Sequence, residues 1–194
     1  MNKNFHRVIA LLVAFSSLSA ALPVSTVDKH LQLLARDDAS GEGIQLPQGA
    51  NLKFSLFAEG TQNYTCDSTT HMWTNVGALA HLSNSTLEYD PSKLVGFHYF
   101  TEQDGVLSPE WDLSISEPYD ENGNHVIAKK ISQYASPDGP ENVPWLLVQG
   151  IEGDLAKFVT RIITKGGVPR QPNCDPSYNN YLTVPYTSLY MFFD

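Results

Sequence analysis

The chain has 194 residues, and its 12 Lys and Arg against 21 Asp and Glu give a formal net charge of −9. That balance argues against nucleic acid or an anionic membrane as partner, because both are held by cations that neutralise phosphates. No apolar run approaches the roughly 20 residues that a membrane-spanning helix needs.

At the N-terminus, Lys3, His6 and Arg7 precede the apolar stretch Val8 to Phe15 and the small residues Ser16, Ser17, Ser19, Ala20 and Ala21. This is the order of a secretory signal peptide, with small side chains at Ser19 and Ala21 predicting cleavage after Ala21 and Ala20 as the competing site. The expected product is secreted and extracellular. Removing residues 1–21 takes away Lys3 and Arg7 and no acid, so the charge moves from −9 to −11. Residues 22–42 are polar apart from Leu31, Leu33 and Leu34, and read as a flexible leader or propeptide with Arg36 as a candidate processing point.

From residue 43 onward short alternating runs are separated by Gly, Pro, Asn and Asp, the pattern of an all-β domain. Leu52, Phe54 and Leu56 alternate with Lys53 and Ser55 as a half-buried strand. In the run 93–100, Val95, Phe97 and Tyr99 share one face and Leu94, Gly96, His98 and Phe100 the other, so both faces read as covered. Trp111, Leu113 and Ile115 form a further alternating set, and Asn122-Gly123 predicts a tight hairpin before Val126 to Ile131. Pro144 to Val148 reads as a buried strand. Residues 155–163 fit a helix face by period but a strand by their β-branched content. In Val184 to Phe193, Pro185 predicts an edge position. Roughly eight to ten strands over 43–194 suit one β-sandwich or barrel-like domain.

Two cysteines, Cys66 and Cys174, read as one disulfide in an oxidising compartment, with two buried free thiols as the alternative. Asn63-Tyr64-Thr65 and Asn84-Ser85-Thr86 match the N-glycosylation pattern, and Asn84, in a polar turn-like stretch, is the better acceptor.

Six ordered motifs are Gly60-Thr61-Gln62-Asn63-Tyr64-Thr65-Cys66, Val95-Gly96-Phe97-His98-Tyr99, Val143-Pro144-Trp145-Leu146-Leu147, Thr164-Lys165-Gly166-Gly167-Val168-Pro169, Asn173-Cys174-Asp175 and Val184-Pro185-Tyr186-Thr187-Ser188-Leu189-Tyr190. Together they resemble an uncharacterised secreted family of fungi and bacteria, catalogued as domain of unknown function 3455. The resemblance implies a secreted, mainly β domain, supports pairing Cys66 with Cys174, and brings no activity with it. Relatives tend to follow the His-Tyr pair almost at once with Gly-Pro-Thr-Trp-Glu, whereas Thr101 to Pro109 intervene here before Glu110-Trp111-Asp112. Family members are often labelled malate dehydrogenase, which this sequence contradicts. The nearest approach to a dinucleotide fingerprint is Gly41-Glu42-Gly43, which lacks the third glycine and leads into no helix.

His98 is the candidate catalytic residue, a titratable group on an apolar strand; it reads either as a ligand contact or general base, or as a hydrogen-bonded core histidine. His71, His81 and His125 have no metal-ligand spacing, so neither metal nor cofactor is expected. Glu110, Asp112, Glu117, Asp120 and Glu121 can supply an acid pair for glycoside cleavage or simply form a solvated face. Asp120 to Asn124 is a poor match to a calcium loop, since its glycine falls two positions early. No G-x-S-x-G elbow is present. Among the aromatics Trp73, Trp111, Trp145, Tyr178 and Tyr181, Trp145 reads as core and Trp111, Tyr178 and Tyr181 as binding candidates. The expectation that follows is an extracellular binding module or effector-like protein of fungal type, acting on wall polysaccharide or a host surface protein. The competing readings are a secreted hydrolase pairing His98 with one of those acids, and a structural wall or spore-coat protein.

Overall fold

Strands dominate a computed structural model describing residues 43–85, 88–116 and 123–194. The predicted signal peptide, leader and Arg36 lie outside the described residues, as do Thr86, Glu117, Asp120, Glu121 and Asn122. Among the described residues eight strands form: β1 Leu52–Cys66, β2 Trp73–Ser83, β3 Leu94–Gln103, β4 Val106–Asp112, β5 His125–Tyr134, β6 Trp145–Glu152, β7 Phe158–Gly166 and β8 Tyr181–Phe193. Each pairs antiparallel with the next, and β1 pairs with β8 from Leu52↔Phe193 to Thr65↔Tyr181, so the sheet closes into an eight-stranded barrel. Of the two predicted architectures, the barrel is the one formed.

Closure removes the sheet edge, which corrects the reading of Pro185 as an edge residue: it sits within β8 opposite Thr61 of β1. The ambiguous run 155–163 is strand from Phe158 onward, and Val159 and Ile162 pack on opposite sides of the barrel wall rather than on one helix face. β4 begins earlier than its alternation predicts and ends at Asp112, leaving Leu113 buried below it and Ile115 exposed in a turn. Residues 113–124 join β4 to β5, and the Asn122 of the expected tight hairpin lies in the part of this connection outside the described residues. A tight hairpin joins β3 to β4, where Asp104 and Gly105 both take positive φ (51° and 78°), the backbone of a type I′ turn.

Two apolar clusters hold the barrel. One fills its lower half from inside, with Leu56, Ala58, Leu82, Val126, Leu155 and Phe192 among its members. The second lies outside, where Trp145, Leu147, Ile162, Leu189, Met191 and Phe193 are covered by the segment carrying Ile44, Leu46 and Ala50. This explains the near-continuous apolar run at the end of β8: alternate residues face the lumen and the covered outer wall, so neither set meets water. Cys66 at the end of β1 is bonded to Cys174 in the β7–β8 connection, which confirms the predicted disulfide.

Candidate functional site

In a strand, residues directly opposite one another across an antiparallel pair point to the same side of the sheet. His98 lies opposite Ala80 of β2 and Trp111 of β4, and Trp111 lies opposite Val126 of β5, so all four face the lumen. The segment Thr101 to Pro109, which separates this chain from the usual family pattern, folds into the β3–β4 hairpin and brings Trp111 into register with His98. On the far wall Arg161 lies opposite Leu146 of β6 and Tyr190 of β8, and it too points inward.

Of these, His98, Trp111, Leu146, Arg161 and Tyr190 line a cavity of about 520 Å³ in the upper half of the barrel. Its wall is mainly apolar, with Phe100, Val148 and Val159 beside the aromatic rings. Val106, Leu107, Lys129, Lys130 and Gln133 also line it, all from the ends of β4 and β5 that lie away from the packed lower half. His98 stacks on Trp111 with centroids 4.5 Å apart and rings 15° from parallel, and Tyr190 meets the Trp111 ring edge-on at 5.2 Å.

His98 is buried, and its Nδ1 lies 2.7 Å from the Glu110 carbonyl oxygen. A carbonyl only accepts, so Nδ1 carries the proton and Nε2 is the acceptor nitrogen. Burial pushes the imidazole pKa down to about 3; the bond to the Glu110 carbonyl opposes that shift and the positive charge of Arg161 adds to it. The ring is neutral at ordinary pH. Arg161 is also felt by Tyr64, Tyr186 and Tyr190, whose hydroxyls burial raises above their usual range and whose ionised forms the guanidinium favours. Its Nε and Nη2 donate to the Pro144 carbonyl at 3.2 and 2.9 Å.

Two buried polar atoms in this lining have no hydrogen-bond partner: Trp111 Nε1 and Gln62 Nε2. Gln62 accepts from Asn75 Nδ2 through its Oε1 at 3.2 Å, so its acceptor is engaged while its donor is not. Its amide also neighbours the Tyr186 hydroxyl, without reaching hydrogen-bonding geometry at Nε2.

The other predicted site residues are dispersed. Glu110 and Asp112 flank Trp111 in β4 and therefore point out of the barrel, where Glu110 Oε1 and Asp112 Oδ2 accept from the Tyr99 hydroxyl at 3.1 and 3.4 Å. Neither carboxylate faces His98. Burial raises the Glu110 carboxyl above its usual range, with the Tyr99 bond opposing. Tyr178 and Tyr181 are exposed, at 92% and 49%, in and just after the β7–β8 connection and outside the cavity lining. Trp145 is core, but on the outer wall, and Trp73 is partly buried opposite Cys66. Asn84 is exposed beyond β2, whereas Asn63 lies within β1 and accepts from Thr61 Oγ1 at 3.0 Å. Among the described residues no group of three or more metal-ligating side chains forms.

Arg161 and Gln62 were not singled out by the sequence. The available signal was parity: once 158–166 is a strand, Val159 and Arg161 share a face, placing a lone cation on an apolar wall.

Fold and site together define a closed antiparallel β-barrel with a lumenal cavity at one end. Over residues 47–194 the chain matches the model of the family described as "Protein of unknown function (DUF3455)", and it belongs to that family. Neither a curated protein nor a solved structure matches it.

Proposed function

We propose that this protein is a secreted binding module whose ligand, a small and largely apolar molecule, lies inside the barrel. The cavity carries this reading: at about 520 Å³ it falls within the size range of small-molecule sites, and an eight-stranded barrel is just wide enough to hold one such ligand. Apolar walls with a few convergent polar groups are what such sites require, and the unpartnered Trp111 and Gln62 donors supply the polar groups. The disulfide agrees with an oxidising, extracellular setting, where the signal peptide would deliver the protein to a wall or host surface. Hydrolysis is less well supported, since Glu110 and Asp112 point away from His98.

The test is titration with N-phenyl-1-naphthylamine, a neutral dye that brightens in apolar surroundings. Saturable, one-to-one emission is expected from the purified mature protein. Leu146→Trp, which extends a partly buried wall residue into the cavity, is expected to abolish the emission while leaving the circular dichroism spectrum intact. A flat titration of the folded wild type, or undiminished binding by folded Leu146→Trp protein, would overturn the reading.

A further inference from the structure

The charges around the cavity run against those of the molecule. The chain carries a net −9, yet the charged residues lining the cavity are Lys129, Lys130 and Arg161, with no Asp or Glu among the described residues that line it. Lys130 belongs to the mouth, where it donates to Gln133 Oε1 at 3.1 Å, but Arg161 stands deeper, opposite Tyr190 and in bond contact with the Pro144 carbonyl. The ion pairs among the described residues are Lys53–Asp194, Lys93–Asp90 and Lys165–Asp138, and Arg161 is in none of them. A guanidinium has five N–H donors in a planar fork, and the Pro144 carbonyl takes two. The Tyr190 hydroxyl is also within its reach. A cation held partly out of water without a carboxylate is costly unless something anionic completes it.

A second observation points the same way. Trp111 and Gln62 are each 3% exposed, both line this cavity, and the unsatisfied atom of each is a donor. What these two atoms lack is an acceptor. A cationic or donor-rich ligand would leave these N–H groups unpaired and meet Arg161 with like charge, whereas a carboxylate offers roughly four lone-pair sites and matches the guanidinium fork bidentately.

We infer that the lumen selects an amphipathic anion, a molecule with an apolar body and one carboxylate that pairs with Arg161. This inference rests on the lumen being the binding site, as proposed above. The apolar body lies against Phe100, Val148 and Val159, and the carboxylate meets the Arg161 fork; Lys129 and Lys130 attract the anion to the mouth. The alternative role for Arg161 is to tie β7 to the start of β6 through Pro144, and the experiment separates the two.

Octanoate and 1-octanol, matched in chain length and differing in charge, are titrated against the bound neutral dye. Octanoate is expected to displace it at about tenfold lower concentration than 1-octanol, the scale of one charge-assisted pair out of water. Arg161→Gln is expected to remove that advantage, so that octanoate and 1-octanol displace the dye this variant binds at similar concentrations, and Arg161→Lys, which keeps the charge but not the fork, to retain part of it. Should Arg161→Gln fail to fold, Trp111→Phe provides the second variant: it deletes an unpaired donor and is expected to weaken octanoate more than 1-octanol. Equal or absent displacement by the two compounds in the wild type, or an advantage that survives in Arg161→Gln, overturns the inference and leaves lumenal binding standing. Loss of dye and both ligands alike in a destabilised Arg161→Gln protein, with Trp111→Phe indifferent to ligand charge, assigns Arg161 the structural role and also overturns it. A wild type that binds no dye removes the site itself.

Discussion

The imidazole of His98 is enclosed by Trp111, Tyr190 and Phe100, and it spends its single proton on the Glu110 carbonyl. Its folded pKa of about 3 lies below the unfolded value of 6.5, so between these limits the unfolded chain binds more protons and stability falls as pH falls. Above pH 6.5 the contribution is fully present. Integrating that difference from pH 7 to pH 5, where few carboxylates titrate, gives a loss of about 2 kcal/mol. Denaturant midpoints measured across this range are expected to drop for the wild type and to stay nearly level for His98→Gln; parallel curves would show that His98 is not the group responsible. The sequence identified His98 as a titratable residue on an apolar strand but could not say which partner it takes. That partner is a backbone carbonyl on the neighbouring strand, and a backbone atom leaves no mark in a side-chain pattern.

Among the strands, close packing depends on a few positions without side chains. Gly60 and Gly96 lie where a side chain has no room: a Cβ on Gly60 would run into the Leu79 carbonyl and stand 2.7 Å from the Ala80 Cβ, and one on Gly96 would meet the Asp112 carbonyl and stand 2.8 Å from Leu113 Cδ2. Gly60→Ala must therefore part β1 from β2. It is expected to cost about 3 kcal/mol or more, in line with overpacking against backbone, read as a lowered denaturation midpoint. A second irregularity lies in β7, where the register against β8 shifts between Ile162 and Lys165 and Ile163 takes a φ of 51°, rare for a β-branched residue. β1 was legible because its apolar residues alternate, and β3, β5, β6 and β8 because short apolar runs bounded by turn residues mark strands. β2 was not, because its inward set of Ala78, Ala80 and Leu82 is mostly small and the exposed Leu79 interrupts the pattern. β4 was misplaced because Leu113 continues the alternation of Trp111 past the end of strand pairing.

For the molecule as a whole, the longest-range constraints are the β1–β8 pairing and the Cys66–Cys174 bond, which closes a separation of 108 residues. A loop of that size restricts the unfolded chain enough to contribute about 4 to 5 kcal/mol in the chain-entropy account, comparable with the net stability of a small domain. Cys66→Ala with Cys174→Ala is expected to lower the unfolding free energy by that amount, measured by urea titration at matched protein concentration; a change below about 1 kcal/mol would mean that the barrel closes without help from the bond. The bond joins the top of β1 to the β7–β8 connection, the same connection in which Gly167 accepts from the Tyr64 hydroxyl at 2.7 Å beside the cavity lining. Loss of the bond is therefore expected at the cavity end first.

The sequence by itself determined that this domain is built of strands and that Cys66 and Cys174 are the one pair that can form a disulfide, because strand-length apolar runs and a lone pair of cysteines can be read locally along the chain. Only the tertiary structure decided which face of each strand became the lumen. Trp111 and Trp145 are equally apolar in the sequence, yet one lines the cavity and the other is buried on the outer wall. Alternation defines two faces without stating which way the sheet curls. The direction follows from closure of β8 onto β1 and from the outer cover carrying Ile44, Leu46 and Ala50, and both join residues more than a hundred positions apart. The same closure brought Arg161, Gln62 and Trp111 around one cavity, from strands whose separate patterns carry no trace of their meeting.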